Sequence, residues 1–193
     1  MSDFPVAYPE RSLSFREELA QQRWDDHRYY HQSRINQSLH LFSALSFLCA
    51  YVLLFISPGL AVLMGWIVAM CSRQIGHFFF EPHHYDRINN ASHQHKEDIK
   101  IGYNLKRKQV LHAIWGAIPI VLYVEPSLFG LMTPAENAGG YFHNVAIAWL
   151  VLAAAAIVFR SVQLTRVFGA QTGIVWATKI LTDPFNDVRT YFK

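Results

Sequence analysis

The placement of basic residues around four apolar stretches is the feature that most constrains this 193-residue chain. About 20 consecutive apolar residues are needed for a helix to cross a bilayer. The stretches cover about residues 41–57, 59–80, 110–132 and 144–160. All 17 lysines and arginines precede the first stretch, lie between the second and third (counting Arg73 near the end of the second), or follow the fourth (counting Arg160 at its end). The two other connections, Ser57–Pro58 and Thr133–Asn144, contain none. Since basic residues accumulate in cytoplasmic loops, we expect four membrane spans with both termini cytoplasmic.

The composition agrees with a membrane protein rather than an ordinary soluble domain. Hydrophobic residues make up 52% of the chain and charged residues only 16%, against about 25% charged in average soluble proteins. The predicted fold is therefore all-α, a single integral membrane domain over residues 1–193 built as a four-helix bundle. The pattern suits the cytoplasmic side of a bacterial inner membrane or of an endoplasmic reticulum equally well.

Three cytoplasmic segments flank and connect the predicted spans. Residues 1–40 form an N-terminal arm, in which Ser14 and Glu17 have the spacing of a capping box that begins an amphipathic helix. Residues 81–109 form a histidine-rich loop. Residues 161–193 form a C-terminal segment, with an amphipathic helix expected to lie in the membrane interface and to end at Pro184.

Nine of the ten histidines fall on the cytoplasmic side of this topology, and His143 alone falls on the other. His40, His77 and His112 lie at the same depth on three different spans, and helical bundles build metal sites from ligands that converge at one level. His31 reaches the same ion if the helix breaks near residues 33–35. We therefore expect His31, His40, His77 and His112 as metal ligands. Imidazoles without cysteine suit iron, zinc or copper.

Two further polar residues lie one helical turn from these histidines. Asn36 shares a helical face with His40, and Glu81 shares one with His77. Glu81 is either a ligand or a group that orients the ring, and Asn36 orients a ring or contacts a substrate. The remaining histidines are expected to be solvated loop residues (His83, His84, His93, His95) or a packing residue of the N-terminal arm (His27).

Two motifs carry a resemblance to a known family. Tyr30-His31 followed by Asn36 and His40 has the form Y-H-x4-N-x3-H, at the entrance to the first span. Gln74 to Glu81 has the form Q-x-G-H-x3-E, at the exit of the second. In this order and topology they resemble the 2-hydroxy-fatty-acid dioxygenase family, small multi-pass membrane proteins of fatty-acid α-oxidation. The resemblance covers about residues 26–126, and the sequence departs from the family's usual pattern directly after Glu81.

The resemblance implies an Fe(II)-dependent, O2-consuming enzyme that shortens a 2-hydroxy fatty acid by one carbon. A 2-hydroxy carboxylate chelates iron, and histidine ligands leave positions for that chelate and for O2. Asn36 and Glu81 are then the catalytic candidates. Arg73, Arg107 and Lys108 are candidates for binding the substrate carboxylate, and the acyl chain is expected to lie between the spans.

Two other classes of protein remain open from the sequence. A di-iron membrane hydroxylase or desaturase is the first, because His27 and His31 have the spacing H-x3-H, although no H-x2-H-H motif is present. A non-enzymatic membrane scaffold or metal-binding protein is the second. Nucleic-acid binding is disfavoured because the basic residues border apolar spans and have a topological explanation.

Overall fold

The computed structural model describes residues 13–82 and 84–192, so Arg11, His83 and Lys193 lie outside the described residues. Within those ranges the protein is all-helical, which confirms the predicted fold class. The seven helices are α1 (Phe15–Tyr30), α2 (Arg34–Leu53), α3 (Pro58–Phe79), α4 (His93–Ile99), α5 (Leu105–Val124), α6 (Ala138–Phe168) and α7 (Ala170–Tyr191). An isolated antiparallel bridge between Asp86 and Ala91 closes a turn in the loop between α3 and α4.

Three of these helices, α2, α3 and α6, are long and apolar enough to cross a membrane. Helix α5 is not among them, because its first turn carries three consecutive basic residues, Lys106 to Lys108. The predicted span over residues 110–132 is also corrected at its end. The helix ends at Val124, and turns follow it. The predicted fourth span, residues 144–160, lies within the longer α6.

The predicted start of α1 and the predicted break after it are both confirmed. Ser14 and Glu17 form a reciprocal capping box at the start of α1. Helix α1 ends at Tyr30, and Ser33 then caps α2 by accepting a hydrogen bond from the backbone N–H of Asn36, at 3.1 Å. This break between the two helices turns the chain, and it allows His31 and His40 to face one another.

Helix α3 contains a π-helical segment over Met64–Met70, which the sequence did not predict. Ser43 of α2 donates its hydroxyl to the Ala69 carbonyl at 2.6 Å, and Ser72 donates to the same oxygen at 3.0 Å. A π segment changes the rotation of the residues that follow it, and such segments are frequent at functional sites. Here the following residues include His77.

Helix α7 continues through Pro184, so the prediction that proline ends this helix is wrong. Ion pairs lie on both sides of the proline. Lys179 donates to Asp183 at 2.6 Å, and Asp187 accepts from Arg73 of α3. The helix packs against α1, α2 and α6. Because α7 continues past the proline, Asp187 and Tyr191 lie beside the junction of α1 and α2.

Candidate metal centre

Three of the four predicted ligands come together. His31 from the α1–α2 junction, His40 from α2 and His77 from α3 are all buried, and one nitrogen of each lies within 4.8 Å of the others. Their ring centroids are 3.7 Å apart for His31 and His40, 4.9 Å for His40 and His77, and 5.5 Å for His31 and His77. The three side chains thus form a cluster able to hold a metal ion.

The hydrogen bonds of the rings show which nitrogens are left for a metal. The Nδ1 of His77 lies 2.8 Å from the Glu81 carboxylate, and the Nδ1 of His31 lies 2.7 Å from the Tyr191 hydroxyl. The Nε2 of His31 and both nitrogens of His40 are buried without a hydrogen-bond partner. Buried polar atoms rarely lack partners in folded proteins. Several converging imidazole nitrogens in this condition fit the binding of a metal cation.

The electrostatic surroundings keep the His31 ring in the form that binds metals. Burial lowers the pKa of His31 to about 3, and the nearby cations of Arg73 and Lys179 act in the same direction. The carboxylates of Asp26 and Glu81 oppose this shift without reversing it. The ring is therefore neutral near pH 7, as a metal-ligating imidazole must be.

Glu81 supports His77 rather than joining the three-histidine cluster. Its Oε2 is the partner of His77, and its Oε1 accepts a hydrogen bond from the Lys100 ammonium group at 3.0 Å. Lys100 also lies 3.6 Å from the centre of the Tyr30 ring. Because the carboxylate oxygen can only accept, the Nδ1 of His77 carries the hydrogen and its Nε2 keeps the lone pair for a metal.

Asn36 is fully buried beside the cluster. Its amide nitrogen donates to the Tyr30 carbonyl at 2.7 Å, which ties α2 to the end of α1. Its Oδ1 has no hydrogen-bond partner, and it lies directly against Gly76 of α3. Asn36 and His40 both lie against Gly76, and the catalytic role of Asn36 stays a prediction.

His112 does not belong to the cluster, so the structure does not support its prediction as a fourth ligand. Its Nδ1–H donates to the Lys108 carbonyl at 2.6 Å, one turn earlier in α5. Its ring packs against Trp115 and Phe78, with centroids 5.1 and 5.6 Å away. The sequence predicted the depth of His112 along its helix, but it did not predict that the ring would pack against Trp115 and Phe78 instead of joining the cluster.

The C-terminal helix supplies two site residues that the sequence did not identify. Tyr191 contacts His31, and the Asp187 carboxylate lies 3.9 Å from the Nδ1 of His40 while it accepts from Arg73. Burial raises the pKa of Asp187, and Arg73 partly offsets this effect. Asp183, Asp187 and Tyr191 follow one another at four-residue intervals, and this polar stripe on one helical face was the available signal.

His77 of the cluster lines a cavity of about 790 Å³ between the helices. The cavity is lined by five basic side chains and three carboxylates, namely Arg28, Arg73, Lys100, Lys108, Lys179, Asp25, Asp26 and Asp183. The rest of the lining is mostly apolar and includes Phe47, Val62, Trp66, Leu111, Trp115 and Leu150. A cavity of this composition suits an amphipathic molecule with an anionic group and a hydrocarbon chain.

The predicted carboxylate-binding residues differ in their surroundings. The Arg73 guanidinium is paired with Asp187, and Arg107 is exposed and does not line the cavity. Lys108 lines the cavity, and no carboxylate among the described residues forms an ion pair with it. Of the three, Lys108 is thus the residue available to an anionic ligand.

A second cavity, of about 340 Å³, is lined by His31 of the cluster. Its lining includes His27, His31 and Tyr191 together with the ion-paired side chains of Arg23, Lys179 and Asp183. His84 and His143 are exposed. His95 is exposed too, but it lies in α4 and lines the large cavity, so it is not the loop residue that was predicted.

No family model matches this chain, and no curated protein or solved structure matches it either. The fold and the site define a class: a helical membrane protein with a buried cluster of three histidines able to hold a metal. The cluster borders a large cavity of mixed charged and apolar lining.

Proposed function

We propose that this protein is an Fe(II)-dependent dioxygenase of fatty-acid α-oxidation, which uses O2 to shorten a 2-hydroxy fatty acid by one carbon. The observation that carries the proposal is that His77, one of the three clustered histidines, lines the 790 Å³ cavity. The two histidine motifs, which resemble those of the 2-hydroxy-fatty-acid dioxygenase family, support the metal and the substrate class.

The donor set agrees with iron. His31, His40 and His77 would hold the ion, and three neutral imidazoles leave open coordination positions, as in other non-haem iron centres. Bound Fe(II) would supply a site for chelation of the 2-hydroxy acid and for reaction with O2. Glu81 and Tyr191 orient two of the rings, and Asp187 lies beside the third. Such supporting groups commonly accompany histidine ligands.

The cavity lining supports a long-chain acid as the substrate. The Lys108 ammonium group can pair with the substrate carboxylate, in a charge-assisted hydrogen bond. The hydrocarbon chain then lies against apolar side chains such as Trp66 and Trp115, which removes it from water. The reaction balances with O2 as the sole oxidant when the lost carbon leaves as CO2 together with one water molecule, so no external reductant is needed.

We further propose that α5 is a fourth span and that both termini are cytoplasmic. Three spans would place the termini on opposite sides of the membrane. With four spans, all the lysines and arginines lie on one side. Lys106 to Lys108 would mark the cytoplasmic start of α5. The three-histidine cluster then lies at the cytoplasmic face of the membrane.

The test is the metal content and O2 consumption of detergent-purified protein reconstituted anaerobically with Fe(II). We expect about one iron per chain, as one three-histidine cluster implies, and O2 uptake with a 2-hydroxy fatty acid but not with the parent fatty acid. His40→Ala and His77→Ala should each abolish metal binding, whereas the matched control His143→Ala, an exposed histidine, should retain it.

The other outcomes separate the alternative functions. About two irons per chain, with O2 uptake only when electrons are supplied, would favour the di-iron hydroxylase or desaturase. One iron without O2 uptake on any 2-hydroxy acid would favour a metal-binding protein without this activity. Failure to bind any metal would favour a membrane scaffold.

A further inference from the structure

We propose that Tyr191 and His27 are positioning residues that hold His31 in the tautomer able to bind the metal. The Tyr191 hydroxyl lies 2.7 Å from the Nδ1 of His31 and 3.1 Å from the Nδ1 of His27. It therefore joins a ligand of the metal centre to a histidine outside it. This inference rests on the proposed metal centre and extends it to a residue of α1 and a residue of α7.

The chemistry of the three groups allows two directions for this pair of hydrogen bonds. A tyrosine hydroxyl has one hydrogen to donate, and a neutral imidazole has one donor and one acceptor nitrogen. In one direction, His31 donates from Nδ1 to the Tyr191 oxygen, and Tyr191 donates to the Nδ1 of His27. In the other direction both bonds are reversed, and the hydrogen of His31 comes to lie on Nε2.

Metal binding selects the first direction. The Nε2 of His31 is the nitrogen buried without a hydrogen-bond partner, and it must keep its lone pair in order to ligate a cation. The hydrogen of the ring then lies on Nδ1 and must be accepted by Tyr191. The Tyr191 hydrogen in turn requires an acceptor, and His27 provides it. His27 is thus the group that keeps the tyrosine oxygen free to accept from His31.

The surroundings fix these groups in place. Burial raises the pKa of Tyr191, so its hydroxyl remains protonated and the chain of hydrogen bonds stays intact. The rings of His27 and Tyr191 are in contact, with centroids 5.6 Å apart. Helix α7 is anchored beside α1 by Lys179, which donates to Asp26 at 2.5 Å. Tyr191, in the last turn of α7, thereby orients His31, which lies 160 residues earlier in the chain.

The first experiment compares Tyr191→Phe with the control Tyr141→Phe. Each variant removes one tyrosine hydroxyl hydrogen bond of 2.7 Å, but the Tyr141 hydroxyl donates to the Pro119 carbonyl and lies outside both cavities. We expect Tyr191→Phe to weaken Co(II) binding about 10- to 100-fold, measured against a competing chelator. The visible spectrum of its Co(II) form should shift as well. Tyr141→Phe should leave both unchanged, and the thermal unfolding midpoint of each variant reports its structural effect separately.

The second experiment tests the acceptor role of His27. His27→Asn keeps an acceptor oxygen on Cγ, where the histidine has Nδ1, whereas His27→Leu removes it. We expect His27→Leu to weaken Co(II) binding by up to about 10-fold, and His27→Asn to bind close to the unchanged chain. Equal losses in the two His27 variants would overturn the role of His27, and unchanged affinity in Tyr191→Phe would overturn the whole inference. If the unchanged chain binds no metal, the proposed metal centre itself fails, which is a distinct result.

Discussion

Lys108 is the residue whose surroundings say most about the ligand of the large cavity. It is partly buried in the wall of that cavity, and no carboxylate among the described residues pairs with it. Removing a charge from water is costly unless the charge is paired. An anionic ligand would pair with the Lys108 ammonium group at this position, and a fatty-acid carboxylate is an anion of the required kind.

We predict that Lys108→Met lowers the affinity for a 2-hydroxy fatty acid by about 10- to 100-fold, because a hydrogen bond to a charged group contributes about 1.5–3 kcal/mol. The matched control is Lys106→Met, which removes an exposed lysine two residues earlier in the same helix. The dissociation constant measured by calorimetry in detergent checks both variants. Equal losses in the two variants would show that Lys108 does not bind the carboxylate.

The site was predictable where a motif lay beside an apolar stretch, and not where a side chain came from a distant helix. His31, His40 and His77 follow from their spacing and their common depth. The same reasoning selected His112, because depth along a helix can be inferred from the sequence while the direction of a side chain around the helix axis cannot. Tyr191 was missed since its contact with His31 depends on the whole path of α7.

At the scale of the elements, the close approach of α2 and α3 holds the centre together. A side chain at Gly76 would overlap the Oδ1 of Asn36 and would lie 3.4 Å from the Cδ2 of His40. The Q-x-G-H motif therefore has glycine at position 76 because the neighbouring α2 residues leave too little space for a side chain. Neither this contact nor the π segment before it follows from the periodicity of the sequence, because each depends on how the two helices pack.

We predict that Gly76→Ala destabilises the protein by about 1–3 kcal/mol, as overpacking of a core does, and weakens metal binding because Asn36, which packs beside His40, must move. Gly65→Ala in the same helix is the matched control, since its added methyl group meets the nearest atom of Phe47 at 3.8 Å, an ordinary contact. That control should retain the metal and unfold at a similar or higher temperature. Thermal unfolding and metal content in detergent measure both effects, and a metal-replete Gly76→Ala variant would contradict the packing explanation.

At the scale of the whole molecule, the charge distribution and the helices lead to different counts of spans. Three helices have the length and hydropathy of a span, while the arrangement of the basic residues favours an even number. The two agree if α5 crosses the membrane with Lys106 to Lys108 at its cytoplasmic end, because lysines at a helix end can extend their charged groups to the interface. The histidine cluster and the loop before α5 then share the cytoplasmic side.

This topology predicts which positions a membrane-impermeant maleimide can reach in intact cells. Glu136→Cys lies in the connection between α5 and α6 and Lys106→Cys at the start of α5, and both residues are exposed in the structure. The two native thiols are first removed by Cys49→Ala and Cys71→Ala. In this background, a protein with four spans should react at Glu136→Cys in intact cells. It should react at Lys106→Cys only after permeabilisation. If α5 does not cross the membrane, the two positions lie on the same side and react under the same conditions. The proposed cytoplasmic location of both termini would then be wrong, although the three-histidine cluster would still face the side of the membrane on which α1 lies.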